Sequence, residues 1–368
     1  MRHPQAPPTL ASAPPPPITP WIGRPLAANL PPGSRFYMRV LFIASNRIGD
    51  AVLSTGLLGG LMERYPGAEF WVACGPLAVP VFSHAPGVTR IIVMRKEKRA
   101  GHWRKLLKAT MFRRFEAVVD LRGSATAWAL WTRKRHILKA DHTLHRVVHN
   151  AQVAGFEPPP SPRVWPGNEM RARAAAAIPE GVQVLAMGPA AAWVGKMWPA
   201  ERFAELARRL LAPGGAMEGA YLLVTGGPAD RKVCEPVLEA VPADRRIDLI
   251  GAGIDETAAF FERIRLYVGN DSGLMHLAAA AGAPTIGLFG PSDDAIYAPW
   301  GPKTVAVRVP RALGEVRAAE DTEKGWHSRS HMEDLAVETV LDAAHALLAQ
   351  TGASGQNAVP VPEKGNPS

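Results

Sequence analysis

The residues best placed to do chemistry lie in Gly269-Asn270-Asp271-Ser272-Gly273-Leu274-Met275-His276, which runs on through Ala281 to Gly282. Leu266 to Val268 is a short apolar run suited to a buried parallel strand. Asn270 and Asp271 are turn and N-cap types, and Gly273 lets a ligand come close to the backbone. Met275 to Ala281 then reads as an apolar, Ala-rich helix that stops at Gly282. Free N–H groups and the helix dipole at such a start favour an anion, typically phosphate. Ser272 and His276 are four apart and share a helix face with that start. Taken one at a time, the Asp would more often be a cap and the His a core filler; together they point to a binding site.

Three more places carry candidate groups. Asp50 follows Ser45-Asn46-Arg47-Ile48-Gly49 and precedes a helix expected over about 51–64, so it sits at a strand-to-helix turn. From position alone an N-cap role, worth about 1 kcal/mol, is the better reading of Asp50. Asp120-Leu121-Arg122-Gly123-Ser124 is a second strand-end loop. Lys196 follows Gly195 in the loop after a strand at 182–187, where a compact cation suits a phosphate and where a solvated surface Lys is the more common case. Thr225-Gly226-Gly227-Pro228-Ala229-Asp230 and Gly251-Ala252-Gly253 end two further strands.

These loops need a scaffold that brings strand ends together. Apolar strands at 38–44, 69–73, 90–94 and 117–121 alternate with helical patterns, and the alternation restarts at 182 after the Pro-rich stretch 157–167. The pattern predicts an α/β protein with two mostly parallel sheets, each covered on both faces. Residues 1–35 and 351–368 read as disordered extensions, and 311–331 as a charged, mobile loop before a helix at about 335–348.

The chain of 368 residues carries 42 Lys and Arg against 33 Asp and Glu, a net +9, which suits an acidic partner. Residues 95–114 mix Arg and Lys with Trp103, Leu106, Leu107, Met111 and Phe112; this fits a solvated helix face and an anionic membrane or glycolipid about equally. No nucleic-acid motif accompanies the charge, so nucleic acid is not expected as a partner. Cys74 and Cys234 stand alone, which argues against a zinc site or a disulfide framework and agrees with a reducing cytosol. No run of 18 apolar residues predicts a membrane span. A GxGxxG after the first strand and a Walker A sequence are both absent, which weakens dehydrogenase and P-loop readings.

Asp271 to Ala280 with Pro284-Thr285-Ile286-Gly287-Leu288-Phe289-Gly290-Pro291 resembles glycosyltransferase family 9, the ADP-heptose:lipopolysaccharide heptosyltransferases. Arg47-Ile48-Gly49-Asp50-Ala51-Val52-Leu53-Ser54-Thr55 is similar to the family's other signature. Asp120-Leu121-Arg122-Gly123, Lys196-Met197-Trp198-Pro199 and Pro299-Trp300-Gly301-Pro302 follow in the right order, so the resemblance covers about 38–350. It implies a GT-B fold: two Rossmann-like domains facing across a cleft, with the C-terminal helix returning to the first.

The implied domains are an acceptor domain at 36–156, a linker region at 157–181, a nucleotide-sugar domain at 182–331 and a helix at 332–350. Asp50 would be the base, with Gly49 and Arg122 on the acceptor side. Lys196 and the amides near Ser272 and Gly273 would hold the diphosphate, Asp271 the sugar hydroxyls, Gly251 and Ala252 adenine, and Asp230 a ribose hydroxyl. His276 would support the phosphate site or pack the helix. The resemblance implies inverting transfer from ADP-heptose to an anionic glycolipid, a cytoplasmic enzyme at or near the inner face of the membrane, and neither metal nor cofactor. Ala190-Ala191-Ala192 stands where some relatives carry hydroxyl residues. Two alternatives remain: a transferase of the same fold using another nucleotide sugar for capsule, O-antigen or other glycan, and a non-catalytic basic module binding nucleic acid or membrane.

Overall fold

The computed structural model describes residues 38–141, 143–318 and 326–355; the Pro-rich stretch 1–35 and the tail from 356 lie outside them. Five parallel strands form the first sheet: β1 (Arg39–Ile43), β2 (Glu69–Cys74), β3 (Val88–Val93), β4 (Phe115–Asp120) and β5 (Thr132–Ile137). Their spatial order is β3-β2-β1-β4-β5. Six parallel strands form the second: β6 (Val184–Gly188), β7 (Tyr221–Gly226), β8 (Arg246–Ile250), β9 (Leu266–Asn270), β10 (Thr285–Phe289) and β11 (Thr304–Arg308). These run β11-β10-β9-β6-β7-β8. Both sheets are doubly wound, and chain order reverses at β1/β4 and at β6/β9. In open α/β sheets the crevice outside the carboxyl ends of the strands at that reversal is where ligands bind.

Central strands are continuous apolar runs because helices cover both of their faces. Val40 to Ile43 and Val184 to Met187 have no solvent-exposed area. One apolar cluster joins the facing sides of the two halves, including Phe42, Phe82, Phe260 and Met275; separate clusters fill the outer face of each sheet. The helix α1 (Ile48–Arg64) packs directly on the Gly273–Ala280 helix of the second half.

Several expectations change. Residues 132–137, where the pattern above places no strand, form the edge strand β5. The 157–181 stretch is partly built into the two halves. Arg163 N donates to Thr55 Oγ1 of α1, while an Asn168–Ala177 helix pairs Arg171 with Glu262 of the second half. The 311–331 stretch contains a Leu313–Ala318 helix and buried Trp326 and His331. The final helix runs Val337–Gly355, beyond the expected end at 350. It packs on the Ala200–Leu211 helix and β11 of the second half, not on the first. No helix among the described residues is long and apolar enough to cross a membrane.

Candidate active site

Asp50 stands in the first turn of α1, not ahead of it. Arg47 occupies the N-cap position and makes no side-chain cap bond. Ser45 Oγ donates to Asp50 Oδ2 at 3.3 Å, one of the several bonds that this half-buried carboxylate can accept. Beside it the β4 loop is rigid. Buried Asp120 accepts from Arg122 N and Ser124 N at 2.8 Å each and from Ser124 Oγ at 2.6 Å. Arg122 stacks over the Trp103 ring at 4.6 Å and donates to Asn46 Oδ1 at 3.4 Å. Partial burial lowers its pKa and the nearby Asp120 offsets part of that.

In the second half Asn270 is the last residue of β9 and Ser272 is the N-cap, so neither Asn270 nor Asp271 caps the helix. Asn270 instead ties the strand end to the next loop, donating to Pro189 O at 2.6 Å and accepting from Trp198 N at 3.0 Å. Asp271 accepts from Lys196 Nζ at 2.6 Å, and its other oxygen lies 4.0 Å from His276 Nε2. Burial pushes the His276 pKa down to about 4 against the pull of Asp271 and Asp50, so the ring is neutral near pH 7. Ser272 Oγ and His276 Nδ1 are buried with no hydrogen-bond partner among the described residues. Such atoms in a folded protein call for an explanation, and a polar ligand at the helix start would complete them.

The two helix starts meet. A Cβ on Gly273 would lie 3.0 Å from Ile48 Cγ2 and 3.1 Å from Gly49 N; one on Gly49 would lie 3.1 Å from His276 Cδ2. A side chain at either position would fit only if its neighbours gave way by a few tenths of an ångström, so glycine suits this approach. The contact brings Asp50, Asp271, Ser272, His276 and Lys196 to one place. Asp230, Gly251 and Ala252 form a separate group at the ends of β7 and β8. Asp230 Oδ2 accepts from Gly227 N at 2.8 Å, and Gly251, at φ +89°, donates to Gly226 O at 2.8 Å.

Other residues of the site were not anticipated. A cleft of about 440 Å³ opens beside Lys196, with Trp193, Tyr297, Asp293 and Trp326 on its walls. Trp326 stacks on His331 at 4.3 Å, and Trp193 lies 5.0 Å from Trp326. The signal available in the sequence was Trp193 three residues before Lys196 and Trp326 within the charged 311–331 stretch. Arg146 Nη2 donates to Tyr297 OH at 2.9 Å and His145 Nε2 lies 3.0 Å from Ala298 O, so both residues bond across the two halves. Tyr267 is fully buried, and its hydroxyl has no hydrogen-bond partner among the described residues. It fits because Gly188 and Gly269 lack the Cβ atoms that would lie 2.0 and 2.4 Å from that oxygen. Burial raises its pKa. Among the described residues no three His, Cys, Asp or Glu side chains gather so as to hold a metal ion.

A family model for glycosyltransferase family 9 (heptosyltransferase) matches residues 103–327. Lipopolysaccharide heptosyltransferase 2 of Salmonella typhimurium is 24% identical over 363 residues, spanning 86% of this chain and the whole of that protein. Lipopolysaccharide heptosyltransferase 1 of Pseudomonas aeruginosa is 26% identical over 304 residues, covering 72% of this chain and 82% of that one. The solved structure of E. coli ADP-heptose lps heptosyltransferase II matches with a TM-score of 0.67 at 22% identity, over 86% of this chain and 100% of that one. E. coli heptosyltransferase WaaC with ADP matches with a TM-score of 0.63 at 18% identity, over 84% and 100%. At these identities the solved structures speak to the fold, which is the GT-B arrangement of two Rossmann-like units. With more than half of its length matched by the family model, the chain belongs to glycosyltransferase family 9 and is a glycosyltransferase.

Proposed function

We propose that this enzyme transfers heptose from ADP-heptose to a hydroxyl of a lipopolysaccharide-core acceptor, with inversion, at the cytoplasmic face of the membrane. One observation carries the reading: the Asp50 turn and the Asp271–Gly273 helix start abut across the two halves. In a single displacement Asp50 takes the acceptor O–H proton as that oxygen attacks the anomeric carbon. The bond from that carbon to the diphosphate oxygen breaks, and the electron pair leaves on ADP. Lys196 and the amides at Ser272 and Gly273 stabilise the charge growing on the departing diphosphate. Asp271 holds Lys196 in place through their 2.6 Å contact and leaves its second oxygen for sugar hydroxyls. A neutral His276 lends a hydrogen bond without adding charge.

Asp230, Gly251 and Ala252 would take the adenosine end, and Arg122 and Gly49 the acceptor side. That similar proteins are lipopolysaccharide heptosyltransferases supports the sugar and the acceptor class. A second reading keeps the displacement and changes the sugar, favoured by Ala190-Ala191-Ala192 in the loop that leads to Lys196. Nucleotide release from a panel of sugar nucleotides, with truncated core lipopolysaccharide as acceptor, separates the two. The first reading predicts acceptor-dependent release from ADP-heptose above all others; preference for another donor would replace it with the second.

A further inference from the structure

We propose that the outer face of the first sheet, around Phe112, Trp128 and Trp131, docks on an anionic phospholipid membrane. Phe112 is 85%, Trp128 69% and Trp131 67% exposed, and Met111 is 44% exposed beside them. Large aromatic groups gathered this way on a water-facing surface mark an interaction site. The fold brings them together: Phe115 N donates to Trp131 O at 2.9 Å, which sets the 111–114 turn beside the start of β5.

The charge on this face chooses the partner. Arg114 lies over the Trp131 ring at 5.7 Å and Arg135 over the Trp128 ring at 5.2 Å. Arg135 also donates to Ala127 O at 2.8 Å and Leu130 O at 2.9 Å, fixing the turn that presents Trp128. Arg113 and Arg133 are exposed near the same rings, while Lys134 turns to the other face of β5, over the Tyr65 ring at 5.6 Å. Within 95–135 the acidic residues besides Asp120 are Glu97 and Glu116, which pair with Lys105 and Arg133. Aromatic rings under guanidinium groups match a membrane interface, where the ring enters the acyl boundary and the cation meets lipid phosphate. A second copy of this chain would bring like charge against like charge and is disfavoured.

Topology links this face to the cleft. The Gly101–Thr110 helix starts at the cleft edge, where Trp103 stacks on Arg122, and ends at Met111 and Phe112. Ten helical residues span about 15 Å. Exposed Arg104, Lys105 and Lys108 lie along it. A membrane at Phe112 therefore leaves the cleft on the order of 15 Å away along a basic track, within reach of an acidic head group whose lipid stays in the bilayer. That last step rests on the lipid-linked acceptor proposed above; the docking itself does not.

The test is co-sedimentation of the full chain with phosphatidylcholine vesicles, with and without phosphatidylglycerol. The expected result is salt-sensitive binding that requires phosphatidylglycerol. It should weaken on the order of tenfold or more in Arg113→Glu/Arg114→Glu, and comparably in Trp128→Ser/Trp131→Ser. Because all four side chains are exposed or partly so, melting temperatures should hold. If the tryptophan variant misfolds, the arginine variant decides alone. Binding indifferent to phosphatidylglycerol, or arginine-variant binding equal to wild type, overturns the proposal, as does self-association in place of vesicle binding. Nucleotide release with a water-soluble acceptor fragment should be unchanged in both variants; absent release from the wild type would count against the proposed reaction and leave the docking result standing.

Discussion

His276 shows how burial sets a protonation state at the candidate site. Its folded pKa, about 4, lies below the ordinary value near 6.5 because the ring is buried. In the unfolded chain the ring gains its proton as pH falls through 6.5; in the folded protein it resists until about 4. Folded stability is therefore undiminished by this group above pH 6.5 and declines as pH falls from 6.5 toward 4. The loss is about 2 kcal/mol by pH 5. Denaturant unfolding at pH 7 and pH 5 checks this: wild type should lose more stability than His276→Gln across that interval. An equal loss would mean that the ring is not buried neutral. The sequence made these residues legible as a polar group at a helix start, but not their partners. The Lys196–Asp271 pair joins positions 75 residues apart, and no local pattern reports such a contact.

At the scale of elements, the central strands were readable because burial on both faces leaves a continuous apolar run. The edge strand β5 was not. With neighbours on one side only, Thr132-Arg-Lys-Arg-His-Ile137 carries exposed charge and reads as a surface cluster. The start of α1 was misplaced for a related reason. Gly49 looks like a loop residue, yet it is helical and serves the close approach of Gly273. That approach yields a prediction. In Gly273→Ala the new Cβ would press on Ile48 and on the α1 backbone, costing about 1–3 kcal/mol of contact between the halves. Turnover should fall on the order of tenfold or more, while circular dichroism keeps the native helix signal. Unchanged turnover would show that the two helix starts need not touch.

For the whole molecule, two sheets with ligand crevices at β1/β4 and β6/β9 face each other, and the candidate chemistry is divided between them. Residues up to Arg163 pack on α1 and residues from Asn168 pack on the second half, so the crossing is confined to about 164–167. That short crossing, joined by the Arg146–Tyr297 and His145–Ala298 bonds, is where the halves would pivot. Cysteines introduced at exposed Leu77 of the first half and exposed Val194 of the second give attachment points for a rigid cross-linker chosen to hold the halves apart. The native Cys74 and Cys234 will not compete, because burial raises both thiols to about 12. Bridging should stop transfer and leave ADP binding within a few-fold of the unbridged protein; full turnover would show that closure is not required.

The division of labour is tested most directly by single-turnover transfer in Asp50→Asn with donor saturating. The variant keeps the shape of the α1 turn and removes the proton acceptor. Transfer should slow by about 10²–10⁴-fold, with donor affinity in calorimetry near that of wild type. Turnover at the wild-type rate would contradict the role of Asp50 as base, and with it the account of a site completed only when the two halves meet.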